Sequence, residues 1–217
     1  MVMAIVVSVL LIIAAYLLGS IPTGYLMARQ LAGIDIREHG SGSTGATNVL
    51  RTVGKKAGAA VLAIDMLKGV AAVGFVSGWF RFAPNSLIPE AWLAYLVAFA
   101  ALGAIIGHSK SIWLGFSGGK SVATSIGVLL MMNPVVALGT IGVFSVMLAI
   151  SKIVSLSSIT GAVAVGILMI VLKQPLPYVV FGAIAGIYVI VRHRSNIERL
   201  LAGTEPKIGQ KLVENKQ

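Results

Sequence analysis

The chain has 217 residues, 57% of them hydrophobic and only 11% charged, and since a soluble domain carries about 25% charged residues, this composition indicates a polytopic membrane protein. The net charge of +10 would also suit a nucleic-acid partner, but the basic residues lie between apolar runs and in the tail, which favours positive-inside topology and anionic ligands and argues against nucleic acid. Cysteine is absent, which excludes disulfides, thiolate catalysis and cysteine-based metal sites.

Apolar runs follow one another along the chain, and a membrane-spanning helix needs about 20 mostly apolar residues. The opening run is too long for a signal-peptide core and has no Lys or Arg before it, so we interpret it as the first span. The division of the fourth to sixth runs is the least determined, because they are separated only by short breaks. Seven spans are predicted, at 1–28, 57–79, 91–107, 121–132, 134–150, 153–172 and 175–191.

The basic residues orient these spans, because cytoplasmic loops carry the excess of Lys and Arg. With the N-terminus outside, fourteen of the 17 lysines and arginines lie in inner segments, two (Arg81 and Lys173) lie in outer loops, and Lys68 lies within a span. We therefore expect an all-α integral membrane protein with about seven transmembrane helices, an outer N-terminus and a cytoplasmic C-terminus, in a single domain over 1–217. Three polar segments share its cytoplasmic side: 29–56, 108–120 and the basic tail 192–217.

The first polar segment contains H-G-S-G-S-T-G-A-T-N-V-L-R at 39–51, which has three glycines, four hydroxyl side chains and no carboxylate. Backbone N–H groups beside glycines, short polar side chains and an arginine can form a nest for a phosphate. The G-x-G-x-x-G match is not a dinucleotide fingerprint, because a membrane helix precedes it and no strand is near. The alternative is a polar connecting loop. The candidate phosphate ligands are Ser41, Gly42, Ser43, Gly45, Thr47, Asn48 and Arg51.

The second polar segment ends in G-G-K-S at 118–121. It resembles the end of a Walker A loop, but Leu114 stands where that motif needs its first glycine. Two glycines and a lysine at the start of a helix remain a candidate phosphate grip, formed by Gly118, Gly119 and Lys120. The alternative is a flexible helix start with a lysine at the membrane interface.

Two ionisable residues, Asp65 and Lys68, lie three positions apart on one face of the second span. Ionisable groups inside a membrane are costly and are functional candidates by default. The alternative is a structural ion pair near the cytoplasmic interface that helps to hold the basic loop.

His193 and Glu198 form H-x-x-x-x-E, which is close to the H-x-x-x-x-D pair of one acyltransferase class, but the acid differs and the pair lies just past a span. The three histidines, His39, His108 and His193, do not have metal-ligand spacing and acidic partners are scarce, so we expect no metal site. The residues alone thus indicate a cytoplasm-facing anion pocket without an evident side-chain nucleophile.

Five stretches stand in order along nearly the whole chain: GSGSTGATNVLRTVGKKAG at 40–58, DMLKG at 65–69, GH and WLGFSGGKSVAT within 107–124, VSLSS at 154–158, and RHRSNIERLLAGTE at 192–205. Together they resemble the bacterial acyl-phosphate:glycerol-3-phosphate acyltransferases of the PlsY type. The resemblance implies a seven-helix enzyme of the bacterial inner membrane, with its active site facing the cytoplasm and no cofactor. It implies transfer of a fatty acyl group from acyl phosphate to the 1-hydroxyl of glycerol 3-phosphate, which forms lysophosphatidic acid and phosphate.

The resemblance also implies that this transfer is the first acylation of phospholipid biosynthesis and that membrane lipids surround the enzyme. On this basis Lys120, Arg51, His193 and Asn196 are expected to be catalytic and Ser155 to bind substrate, with Asp65, Lys68 and His108 in supporting roles. Either the acyl phosphate's own oxyanion or His193 would act as base. The chain departs from the family pattern in having serine at positions where Asn, Gly and Glu are usual: Ser43, Ser121 and Ser195.

Two other classes of function compete with this one. A transporter or channel for a phosphorylated metabolite would suit apolar spans and a basic pocket, but 217 residues leave little room for inverted repeats and the polar groups cluster on one side. A transferase that uses a nucleotide-activated lipid normally needs several aspartates for metal, and this chain lacks an aspartate cluster.

Overall fold

The computed structural model describes residues 1–83 and 87–210. Within these residues the regular structure is helical, apart from one isolated bridge between Ser111 and Ser117. Part of the predicted outer loop (Pro84 and Asn85) and the end of the predicted basic tail, with Lys211 and Lys216, lie outside the described residues.

The described part of the chain contains ten α-helices and three short 3-10 helices. The α-helices are α1 Val2–Ser20, α2 Thr23–Ala32, α3 Ala46–Thr52, α4 Lys55–Phe82, α5 Leu93–Ser109, α6 Val122–Met132, α7 Pro134–Ser151, α8 Val154–Val171, α9 Leu176–Arg192 and α10 Arg194–Leu201. The 3-10 helices are Ile36–Glu38, Glu90–Trp92 and Ile112–Leu114.

Five helical segments of the described residues are long and apolar enough to cross a membrane, and a sixth is counted if α9 and α10, bent by 60°, form one span. The first predicted span is interrupted, since α1 ends just before Pro22 and α2 continues to Ala32. Helix α6 has 11 residues and is about 17 Å long at 1.5 Å per residue, against about 30 Å for the hydrocarbon core of a bilayer. An all-α membrane architecture is therefore present, while the count of seven spans stays a prediction.

The boundary between the fourth and fifth predicted spans is confirmed and has a clear local cause. The side chain of Asn133 accepts hydrogen bonds from the backbone N–H groups of Val135 and Val136, 2.9 and 3.0 Å away, and Pro134 stands at the first position of α7. An Asn cap followed by proline satisfies the free N–H groups at a helix start. Helices α6 and α7 therefore form a hairpin whose turn lies far from the polar loops.

The helices pack around one main apolar core, to which α1 and α4 to α9 contribute. Helix α1 packs on α5 and α4, α4 packs on α6, and α7, α8 and α9 follow one another back to α5. Glycines permit the closest approaches: a Cβ at Gly127 of α6 would collide with the carbonyl of Met66 in α4, and a Cβ at Gly107 of α5 with that of Tyr16 in α1. Small residues at helix interfaces are typical of membrane bundles, where backbones must come close to gain dispersion energy.

A second, smaller core lies beneath the first polar segment. Ala28, Ile36, Val49, Ala57 and Val61, from α2, a 3-10 helix, α3 and α4, are all buried and pack together. This apolar cluster fixes the polar loop from its inner side. It also buries one face of the short helix α3, Ala46–Thr52, within this segment.

Candidate active site

Asn48 organises the first polar loop from its centre. Its side-chain amide donates to the carbonyls of Ile36 (3.3 Å), His39 (2.9 Å) and Ser43 (2.9 Å), and its Oδ1 accepts from the backbone N–H of Ser41 at 3.0 Å. The residue is 3% exposed, so these bonds replace the water that its polar atoms would otherwise need. Asn48 was predicted as a phosphate ligand, but in this structure its hydrogen-bonding capacity is committed to shaping the loop.

The loop turns tightly at Gly40 and Gly42, which have φ angles of 60° and 68°. L-residues rarely adopt this left-handed conformation, and glycine does so without steric cost. At Gly40 a Cβ would also collide with Oδ1 of Asn48. These two glycines therefore let the backbone wrap closely around the asparagine.

The second polar loop is held against the end of α5 by Gly118 and Gly119. The N–H of Gly119 donates to the carbonyl of His108 at 3.2 Å, and a Cβ on either glycine would collide with His108, on its carbonyl or its ring. The carbonyl of Gly119 accepts from Arg192 at 3.1 Å. The two glycines were predicted as phosphate ligands, but they do not border the cavity, whereas the neighbouring Lys120 does. Their close contacts with His108 position the loop that carries Lys120.

The third polar segment meets the others at Glu205, which is 9% exposed. Its Oε1 accepts from the hydroxyl of Ser155 and the amide of Asn196, both at 2.6 Å, and its Oε2 accepts from Nε of Arg199 at 2.7 Å. Asn196 in turn accepts a short hydrogen bond from the ammonium of Lys120 through its Oδ1. Sequence reasoning missed both Glu205 and Arg199, although an acid in a basic tail was a usable signal.

The segment after α10 folds back along the polar loops. Arg51 donates to the carbonyl of Pro206 at 3.3 Å, and the N–H of Ile208 donates to the carbonyl of Lys152 at 2.8 Å. These contacts fix the segment that directly follows Glu205. The carboxylate is thus delivered into the site from a segment without helical structure of its own.

His193 stands where α9 ends and α10 begins. Its Nδ1 lies 2.7 Å from the carbonyl of Val189, so Nδ1 carries the proton and Nε2 has a free lone pair. Glu198 takes no part in this arrangement: it pairs with Arg194 at 3.2 Å on the exposed face of α10. The H-x-x-x-x-E sequence therefore forms no dyad.

The predicted ion pair inside the second span is formed, with Nζ of Lys68 2.9 Å from Asp65. Nδ1 of His108 lies 3.6 Å from the same carboxylate oxygen, and Lys68 also donates to the carbonyl of Ile21 at 2.9 Å. All three ionisable side chains are buried. The cluster ties α4 to the α1–α2 break and to the end of α5, which are the elements that carry two of the polar loops.

These elements enclose a cavity of about 640 Å³. Its polar end is formed by loops and helix ends and contains Ser41, Ser43, Gly45, Thr47, Asn48, Arg51, Lys120, Ser155, His193, Asn196, Arg199 and Glu205. Its other walls are formed by side chains from the middle parts of the helices and are mostly apolar. Among them are Leu62, Met66, Ile126, Phe144, Leu148 and Phe181. Asp65 and His108 also border the cavity, whereas Gly42, Gly118, Gly119 and Lys68 do not. Across residues 1–83 and 87–210, no three His, Asp or Glu side chains cluster in a way that could hold a metal ion.

The polar end favours anions. Burial, reinforced by the nearby Arg199, lowers the pKa of Lys120 to about 8, and burial also lowers the pKa of Arg51. Burial alone would raise the pKa of Glu205, but the hydrogen bonds from Ser155, Asn196 and Arg199 hold it below its usual value. At neutral pH the cavity's polar end therefore holds three cations, Arg51, Lys120 and Arg199, around one carboxylate.

Known proteins match this chain over most of its length. The family model described as glycerol-3-phosphate acyltransferase matches residues 9–203. The chain is similar to two proteins named glycerol-3-phosphate acyltransferase. The one from Rippkaea orientalis is 64% identical over 212 residues, which are 98% of each chain. The one from Nostoc sp. strain PCC 7120 is 66% identical over 208 residues, which are 93% of this chain and 92% of that one. Two crystal structures of PlsY, an integral membrane glycerol 3-phosphate acyltransferase, are 37% identical: the glycerol 3-phosphate form (TM-score 0.82, covering 93% of this chain and 96% of that one) and the lysophosphatidic acid form (TM-score 0.80, 93% and 95%).

The bonds around Glu205 generate a stability prediction. Glu205→Ala leaves the buried partners Ser155 and Asn196 without an acceptor and removes the ion pair of Arg199, so we expect a loss of roughly 3 kcal/mol in the free energy of unfolding. The matched control is Glu198→Ala, because an exposed pair contributes only about 0–1 kcal/mol. Thermal unfolding in detergent, together with proteolysis of the segment after α10, measures both variants. Equal stability of the two would show that the carboxylate does not anchor the tail.

Proposed function

The chain belongs to the glycerol-3-phosphate acyltransferase family and is an integral membrane enzyme that acylates glycerol 3-phosphate, and from this premise we propose its donor, its product and its mechanism. The donor is acyl phosphate, and the products are lysophosphatidic acid and inorganic phosphate. The reaction acylates the 1-hydroxyl of glycerol 3-phosphate.

The observation that carries this proposal is the two-ended cavity. Arg51, Lys120 and Arg199 gather at one end, and apolar side chains from helix interiors line the remainder. Acyl phosphate has the same division, with a charged head and a fatty tail, while glycerol 3-phosphate needs only the polar end. A cavity of this kind holds both phosphates close together and keeps the tail among apolar side chains.

We assign the phosphate contacts to two cations and three hydroxyls of the polar end. One group consists of Arg51 with Ser41, Ser43 and Thr47, and Lys120 forms the other. Ser155, His193 and Asn196 orient the glycerol. The role of Asn48, Gly118 and Gly119 is indirect, because they shape the loops that present these groups.

Acyl phosphate needs no acyl-enzyme intermediate, because phosphate is already a good leaving group. The 1-hydroxyl oxygen attacks the acyl carbonyl carbon, the bond from that carbon to the phosphate oxygen breaks, and the hydroxyl proton moves to a base. That base is an oxyanion of the acyl phosphate itself, with Nε2 of His193 as the alternative. The protein contributes by positioning the two substrates and by stabilising the charge that develops between them.

We further propose that the single domain crosses the bacterial inner membrane seven times, with the N-terminus outside and the site facing the cytoplasm. The seven crossings are supplied by the interrupted α1–α2 unit, α4, α5, the short α6, α7, α8 and α9. In this arrangement the polar loops that border the cavity all lie on one side, which is also the side that the basic residues favour.

The activity test uses the purified protein with acyl phosphate and glycerol 3-phosphate. Phosphate release that requires both substrates, with lysophosphatidic acid as the coproduct, is the expected result. The control is Lys120→Ala, for which we expect a loss on the order of 10²–10³ in kcat, typical of removing one transition-state donor. Counterflow of glycerol 3-phosphate into vesicles without any chemistry would instead support a carrier.

The lowered pKa of Lys120 predicts a basic limb in the pH profile. The ammonium is charged below its pKa of about 8 and loses its charge as the pH rises through that value. We therefore expect kcat/KM for glycerol 3-phosphate, which reports the free enzyme, to fall above about pH 8. In Lys120→Arg the guanidinium stays charged and the fall moves to higher pH. Lys110→Arg, an exposed change in the same loop, is the matched control; a decline near pH 8 that persists in Lys120→Arg would contradict the assignment.

The identity of the base is tested with His193→Ala and His193→Gln. If the substrate oxyanion is the base, both variants keep measurable turnover at saturating substrate, since the histidine only orients the glycerol. Steady-state kinetics combined with a binding measurement for glycerol 3-phosphate distinguishes the two possibilities. Complete loss of turnover with unchanged binding would identify His193 as the base.

A further inference from the structure

The apolar part of the cavity has a definite end. Helices α6, α7, α8 and α9 each contribute one face to it, and the deepest wall residues are Leu129, Thr140, Val165 and Phe181. Thr140 is polar, but its hydroxyl donates to the carbonyl of Val136 in its own helix at 2.8 Å. The end of the cavity is therefore apolar toward any ligand.

Three of these residues separate the cavity from packed protein. Leu129, Val165 and Phe181 border the cavity and also belong to the main core. Val136 and Met169, both fully buried, belong to the same core and do not border the cavity. The three residues thus form a floor, and Phe181, 1% exposed, is its largest side chain.

The floor lies at a fixed distance from the polar end. His193 directly follows the last residue of α9, Phe181 lies in the first half of that helix, and both border the cavity. The rise of 1.5 Å per residue separates their positions by about 18 Å. Ala185, on the same face of α9, lies between them at about 12 Å from His193. A chain that starts at the polar end and runs along α9 passes Ala185 and stops at Phe181.

We propose that Phe181 sets the upper limit on the length of the acyl chain that the enzyme transfers. This inference rests on the proposed function, in which acyl phosphate places its head among the cations. A chain that reaches the floor gains the full burial of its methylenes. A longer chain must displace the ring or leave part of the chain unburied, and its transfer is slower.

Variants at two depths give opposite expectations. Phe181→Ala deepens the cavity, so each additional methylene that enters the new space raises kcat/KM by up to about fourfold, the factor expected for one buried CH₂. Phe181→Leu leaves a smaller void in the core than Phe181→Ala does, so we expect a smaller rise in kcat/KM for long chains. Ala185→Phe fills the middle of the cavity and disfavours long chains relative to short ones. Ile187→Ala, on the exposed face of the same helix, is the matched control and leaves the preference unchanged.

The experiment is a competition among octanoyl, myristoyl and stearoyl phosphate for limiting enzyme, with glycerol 3-phosphate in excess and the products separated by mass. Thermal stabilisation by the corresponding non-reactive alkyl phosphates is measured in parallel, so that the chain-length dependence is obtained without turnover. We expect Phe181→Ala to shift both readouts toward longer chains and Ala185→Phe toward shorter ones.

An unchanged preference in Phe181→Ala and Phe181→Leu, in folded protein, would overturn the proposal and indicate that the chain leaves the cavity sideways between helices. Failure of the proposed function has a different signature. In that case no acyl phosphate reacts with the wild-type protein, while the alkyl phosphates still report whether Phe181 sets the chain length that binds.

Discussion

The arrangement of the polar end depends on the carboxylate of Glu205. One oxygen joins Ser155 of α8 to Asn196 of α10, and the other holds Arg199. Through Asn196 the same network reaches Lys120, which comes from the loop between α5 and α6. A single buried acid thus connects segments that are far apart in sequence, at a polar end whose other charged side chains, Arg51, Lys120 and Arg199, are cations. Without it, Ser155, Asn196 and Arg199 would lose the acceptor that they share.

A second constraint comes from the membrane, where a buried polar group has no water to bond with. The helices satisfy their own backbones, whereas the irregular segments at helix ends and breaks must satisfy theirs locally. Asn48 does this for the first loop, and the Asp65–Lys68–His108 cluster does it for the break between α1 and α2, since Lys68 reaches the carbonyl of Ile21. Both segments are therefore held in place by hydrogen bonds and an ion pair within the chain itself.

The sequence was informative wherever the signal was local. Apolar runs predicted the long helices, and Asn133-Pro134 predicted a helix boundary. The residues of the polar loops pointed to Arg51 and Lys120, and the family resemblance added His193 and Asn196; all four border one cavity. The sequence was less informative about the role of each residue, because a glycine or asparagine in a polar loop can either bind a ligand or shape the loop. Only the packing in the structure distinguishes these two roles, as it does for Asn48 and for Gly118 and Gly119.

Glu205 was missed because its partners Asn196 and Ser155 lie 9 and 50 residues away, beyond any spacing rule. The shortness of α6 and the small core under the first loop are likewise tertiary features.

The position of Glu205 after α10 also has a consequence for biosynthesis. The helices that border the cavity emerge from the ribosome before this residue does. A growing chain can therefore insert the helices of the bundle into the bilayer while Ser155, Asn196 and Arg199 still lack their shared acceptor. The order of synthesis thus separates insertion from maturation, and the polar end of the cavity becomes complete only when the segment beyond α10 is made.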